Sequence, residues 1–91
     1  MSEPALVLVT GASRGLGRGI AVELARSGHS VAINYAGNAA AADGTASLCR
    51  EAAPDTAQVF LPFQGDISST LSRAAMLEKI ADEMGPIDAL V

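Results

Sequence analysis

Apolar residues along this chain fall into short unbroken runs, separated by longer stretches in which they recur every three or four positions. Residues 5–10 (ALVLVT) are the first such run, and an unbroken apolar run of that length predicts a strand buried on both faces. From Gly15 to about Ser27 the pattern changes. Leu16, Ile20 and Leu24 repeat at helical spacing, with Gly28 placed to stop the helix. Ser30 to Tyr35 (SVAINY) predicts a second strand and Ala57 to Phe63 (AQVFLPF) a third, with Pro62 tolerable only where a ladder bond is not required. Between them, Ala42, Ala46, Cys49 and Ala53 share one face of a helix over residues 39–53, interrupted by Gly44 and closed by Pro54. Ser68 or Ser69 can cap a longer helix with Leu71, Ala74, Leu77, Ile80 and Met84 on its buried face, ending at Gly85-Pro86. Ile87 to Val91 begins a fourth strand.

Strands alternating with helices at this spacing predict an α/β fold, a Rossmann-type doubly wound parallel sheet with right-handed crossovers and helices on both faces. Composition changes that picture in one respect. A chain of 91 residues that is 49% hydrophobic and 18% charged, with a mean hydropathy of +0.32, is more apolar than a self-sufficient small domain is expected to be. A buried strand ending at Leu90-Val91 would also leave ladder groups and apolar surface with nothing to pair against. The expectation is that residues 1–91 form the amino-terminal part of a single domain in a longer protein.

Charge and targeting signals narrow the function. The formal net charge is −4 and the six basic residues (Arg14, Arg18, Arg26, Arg50, Arg73, Lys79) are scattered, so no basic stripe offers itself to a nucleic acid. The start, Met1-Ser2-Glu3-Pro4, lacks the positive region of a signal peptide, and the run from Ala5 to Val9 is far too short to cross a bilayer. A cytoplasmic protein without a membrane partner is expected. Cys49 is the single cysteine and has no partner for a disulfide or a metal; it reads as a small buried filler rather than a reactive thiol. His29, between Gly28 and Ser30, reads as an ordinary turn residue.

Candidate chemistry sits where the first strand hands over to the first helix. A helix start has unpaired N–H groups and a partial positive charge, and it holds a phosphate if the backbone can come close enough. Close approach needs glycine: Gly11 to turn out of the strand, Gly15 to clear the pyrophosphate, Gly17 to let the helix lie against the sheet. A tight strand–helix turn with no ligand would need some of the same glycines, but the flanking strand, helix and return strand complete one βαβ unit. A P-loop is excluded because no Gly-Lys-Ser/Thr follows. Arg14 and Arg18 oppose the helix macrodipole. Arg14, inside the loop, reads as an anion ligand, whereas Arg18 reads as a solvated arginine. Near the end of the second strand, where an NAD site usually carries a carboxylate, stands Asn34-Tyr35-Ala36-Gly37-Asn38. With no acid to repel a 2′-phosphate and Arg14 to pair with it, the expected cofactor is NADP.

The segments TGASRGLG (10–17), NYAGN (34–38), GDIS (65–68) and GPIDALV (85–91), in that order and spacing, resemble the short-chain dehydrogenase/reductases, and within them the 3-oxoacyl-[acyl-carrier-protein] reductases most. The resemblance covers essentially the whole chain. It implies that Gly11, Ser13, Arg14, Gly15, Leu16 and Gly17 surround the pyrophosphate and the adenosine ribose, and that Asn34 and Tyr35 lie by the 2′-phosphate. It implies too that Asp66 and Ile67 meet adenine, although Asp66 could instead help cap the helix near Ser68. The family's Asn-Asn-Ala-Gly segment and its catalytic Ser with Tyr-x-x-x-Lys are not among these residues, and Tyr35, followed four places later by Ala39, is no substitute.

By resemblance, the whole enzyme is expected to transfer hydride between a nicotinamide and a carbonyl substrate, small or carried on an acyl carrier. A tyrosine would protonate the developing alkoxide. A homotetramer is the family's usual assembly. Two alternatives stay open: a non-catalytic dinucleotide-binding module or redox sensor, and a sugar or alcohol dehydrogenase of the same superfamily.

Overall fold

The computed structural model describes residues 3–91. Seven elements follow one another as strand, helix, strand, helix, strand, helix, strand: β1 (Leu6–Val9), α1 (Gly15–Arg26), β2 (Ser30–Tyr35), α2 (Ala39–Ala52), β3 (Phe60–Gln64), α3 (Thr70–Met84) and β4 (Ala89–Leu90). The strands form one parallel sheet in the order β3-β2-β1-β4, with Val7 opposite Val31 and Ala89, and Ala32 opposite Leu61. The predicted α/β architecture is the observed one.

Strand side chains alternate between two cores. Val7, Val9, Val31, Ile33 and Phe60 pack against α1 and α2 through Ala21, Ala25, Ala42, Ala46 and Cys49. Leu6, Leu8, Ala32 and Phe63 pack on the other face against Met76 and Ile80 of α3. Helices therefore cover both faces, which is why β1 and β2 read as unbroken apolar runs rather than alternating ones.

Helix ends follow the chain's local chemistry. α1 stops where Gly28 takes φ +97°, its N–H donating to the Ala25 carbonyl while the His29 N–H donates to Leu24, the paired bonds of a Schellman motif. Asn38 caps α2 by accepting from the Ala41 N–H, and of the two serines offered for α3 it is Ser69 that accepts, from the Ser72 N–H. Pro62 lies within β3, an edge strand of the sheet, where its missing N–H costs no ladder bond.

Three local expectations are corrected. The stripe of α1 nearest the sheet is Gly17, Ala21 and Ala25, small residues that bring helix and strands close; Leu16 on the neighbouring stripe is 82% exposed. On α3 the sheet-facing residues are Met76 and Ile80, while Leu71 and Leu77 are exposed at 85% and 38%. Apolar residues occupy two adjacent stripes of α3, and docking selects one of them. Finally, β3 begins at Phe60 rather than Ala57 because Gln58 turns inward. Its amide donates to the carbonyls of Ala25 and His29, and the Val59 N–H donates to the Ser30 hydroxyl.

Candidate dinucleotide site

Three loops meet at the carboxyl edge of the sheet, after β1, β2 and β3. In the first, Gly11 and Gly15 take φ +59° and +61°, a region that costs a side-chain-bearing residue about 1–2 kcal/mol. Gly17 is required for a different reason: a Cβ there would lie 2.2 Å from the Gly11 carbonyl oxygen. Each of the three glycines thus answers a separate geometric demand, two conformational and one steric.

The start of α1 is bare. Arg14 occupies the capping position in extended conformation, makes no side-chain cap bond, and no acidic residue stands in the first turn. An α-helix leaves its first N–H groups without intrahelical partners, and α2 and α3 each cover theirs with a capping side chain. At Gly15 a Cβ would meet nothing within 4 Å, so space opens in front of this start. Arg14 is exposed, and no ion pair among the described residues engages it; the one ion pair found joins Arg26 to Glu23.

Asn34 ties the three loops together. It is 3% exposed; its side-chain oxygen accepts the Gly11 N–H at 3.1 Å, its amide donates to the Gly65 carbonyl and to the Met76 sulfur, and its own carbonyl accepts the Ala12 N–H at 2.8 Å. The Asn34 side chain is thereby spent on holding the glycine loop and turned away from solvent. Tyr35, next along, is half-buried against the α1/α2 core, and its carbonyl accepts the Gly65 N–H. Ser13 is half-buried beside Arg14, and Leu16 projects from the first turn of α1.

In the third loop, Asp66 is exposed. One carboxylate oxygen accepts both the hydroxyl (2.6 Å) and the N–H (2.9 Å) of Ser68, and these bonds hold its pKa below the usual carboxylate value. Asp66 therefore shapes the turn into α3 while Ser69 does the capping. Ile67 is 44% exposed and borders an apolar groove lined by Leu8, Thr10, Met76, Leu77, Leu90 and Val91. The expected residues are thus gathered on one edge, with Asn34 directed inward and Tyr35 half-buried against the core.

Arg18 is not solvated as the sequence suggested. Its guanidinium donates to the Thr45 hydroxyl at 2.9 Å and to the Ala41 carbonyl at 2.7 Å, both on α2. Thr45 and Gly44 escaped notice in the sequence, where Gly44 appears only as an interruption of an alanine-rich helix. The signal was that interruption: a Cβ at Gly44 would stand 3.1 Å from the Arg18 guanidinium.

Residues 5–91 match the family described as short chain dehydrogenase. The chain is 36% identical over 84 residues to the 3-oxoacyl-[acyl-carrier-protein] reductase FabG of Staphylococcus aureus, covering 92% of this chain and 32% of that protein. Among solved structures, a putative short-chain dehydrogenase/reductase from Burkholderia xenovorans superposes with a TM-score of 0.86 at 28% identity, covering 99% of this chain and 36% of the other. An NADH-dependent reductase, A1-R′, complexed with NAD superposes at 0.84 with 27% identity, over 97% of this chain and 35% of that one. The chain spans about a third of the length of these relatives. The glycine loop, the parallel sheet and these similarities lead to one conclusion: this chain belongs to the short-chain dehydrogenase family.

Proposed function

We propose that residues 1–91 are the amino-terminal part of a single Rossmann domain that holds the adenosine diphosphate half of NADPH, in an enzyme that reduces the carbonyl of a 3-oxoacyl thioester to a secondary alcohol. The observation that carries this reading is the uncapped start of α1, with Gly15 open to solvent in front of it and Arg14 at its cap. N–H groups and helix charge at such a start favour a diphosphate.

In this reading Gly15, Leu16 and Gly17 offer backbone N–H groups to the diphosphate, and Ser13 and Arg14 flank it. Arg14 pairs with the 2′-phosphate; the segment from Asn34 to Asn38, which has no carboxylate, leaves room for that charge, with Tyr35 beside it. Asn34 acts there through the loop it holds rather than by direct contact. Asp66 and Ile67 border the adenine, the exposed carboxylate accepting from its amino group.

The dihydronicotinamide supplies hydride when bound. What the present residues do is bind and orient; proton donation to the alkoxide is assigned to a tyrosine of the longer protein, since Tyr35 has no lysine four residues on. Support for the thioester comes from the name of the Staphylococcus aureus relative, and the family resemblance supports a cytoplasmic homo-oligomer. No helix among the described residues is long and apolar enough to cross a membrane.

NADPH and NADH titrations of the wild-type chain and Arg14→Ala test the cofactor. The expected result is a preference for NADPH that Arg14→Ala reduces by about tenfold, the worth of one charge-assisted pair. An unchanged ratio removes Arg14 from that role, and tighter binding of NADH by the wild type removes NADP from the proposal. The NAD-bound neighbour makes NADH the specific rival.

A further inference from the structure

Two sets of bonds hold the glycine loop in place, and only one of them comes from the sheet. Asn34 of β2 accepts the N–H groups of Gly11 and Ala12. The second set comes from α2: the hydroxyl of Thr45, which is 0% exposed, donates to the Ala12 carbonyl at 2.8 Å, with the Ser13 carbonyl 3.2 Å away. The same hydroxyl accepts from Arg18, which is anchored in turn to the Ala41 carbonyl. A glycine at position 44 lets the guanidinium lie flat along α2, although glycine inside a helix costs about 1 kcal/mol relative to alanine.

Resting on the dinucleotide reading above, we infer that Thr45, oriented by Arg18, is a positioning residue for the diphosphate-binding loop. A trans peptide directs its C=O and N–H in opposite senses. Tethering the Ala12 carbonyl to α2 therefore turns the Ser13 N–H away from α2, and fixes the segment that leads into the first turn of α1. The N–H groups of Gly11 and Ala12 are already committed to Asn34, so the donors left for a diphosphate start at Ser13. Their direction depends on the loop carbonyls that Thr45 holds, that of Ala12 first and that of Ser13 beside it. Arg18 belongs to this device because a hydroxyl that accepts from a guanidinium has its own proton directed elsewhere, here to Ala12.

ADP carries the diphosphate and adenosine does not, so the two probes separate loop geometry from general folding. Titrated into the full chain, Thr45→Val, which keeps the side-chain shape, is expected to weaken ADP about tenfold and to leave adenosine within about twofold. Thr45→Ser, which restores the hydroxyl, is expected to recover ADP affinity. Arg18→Met should lower ADP affinity in the same selective way. Should Thr45→Val fail to fold by circular dichroism, Arg18→Met and Thr45→Ser decide between the outcomes. Wild-type ADP affinity in a folded Thr45→Val or Arg18→Met, or equal losses for ADP and adenosine, overturns the positioning role and leaves the dinucleotide site standing. If the wild-type chain, folded by circular dichroism, binds neither ADP nor NADPH, it is the site itself that fails, and the positioning role with it.

Discussion

At Gly17 and Gly19 the same substitution meets opposite environments within one turn of α1. A methyl group at 17 would sit 2.2 Å from the Gly11 carbonyl oxygen and 2.9 Å from its carbon, whereas at 19 it meets nothing within 4 Å. Gly17→Ala is expected to cost about 1–3 kcal/mol through backbone that must move. Gly19→Ala is expected to add about 0.5–1 kcal/mol by relieving a helix-interior glycine; denaturant midpoints of the two variants check both signs. Cys49 makes a second case. It is fully buried, and burial pushes its thiol from 9.0 up to about 11, with Arg50 pulling weakly the other way. Folding holds the proton, so above pH about 9 the unfolded chain ionises first and stability falls until the folded thiol titrates near 11. Native Cys49 should resist a disulfide reagent at pH 8 and react at once in denaturant; rapid native labelling would contradict its burial. The filler role was readable from alanines at helical spacing around Cys49, because apolar spacing reports burial directly. Arg18 was not readable: its partners Ala41 and Thr45 lie more than 20 residues along the chain, and sequence spacing carries no information about such pairs.

Capping sets the three helices apart. Asn38 and Ser69 bond to the first turns of α2 and α3, and Ser69→Ala should destabilise the chain by about 1 kcal/mol. α1 instead carries Arg14 where Asp, Asn or Ser would be favoured. Arg14→Asp is therefore expected to raise stability by about 1 kcal/mol while abolishing measurable NADPH binding, the reverse of what a purely structural position would show. Thermal midpoints and NADPH titration on the same protein check it; a fall in both, or in neither, would count against a site at this helix start. Helix limits were largely legible because Gly28, Pro54 and Gly85-Pro86 act through local conformation. The buried face of α3 was legible in part. Ile80 and Met84 lie on it as expected, but Leu71 and Leu77 are exposed and Met76 is buried instead, a choice made by contact with Leu6, Leu8, Ala32 and Phe63 on the sheet.

Over the whole molecule, several large apolar side chains stay exposed. Leu71, Leu90, Ile67 and Val91 are 85%, 67%, 44% and 50% exposed, and among the described residues β4 pairs with β1 alone, leaving its outer edge open. Open strand edges beside exposed apolar side chains invite association. Light scattering should find the 91-residue chain self-associating at micromolar concentration, and Leu71→Glu combined with Leu90→Lys should reduce the apparent mass; a wild-type monomer would show these groups to be harmless. The alternation of strand and helix, the glycine turn and the caps were all set by the sequence itself, since each depends on residues within about a turn of one another. Tertiary structure alone decided that Asn34 faces inward, that Thr45, bonded to Arg18, reaches the loop, and which stripe of α3 meets the sheet. These are contacts between segments distant along the chain, and their energies exist only once the sheet has brought those segments together.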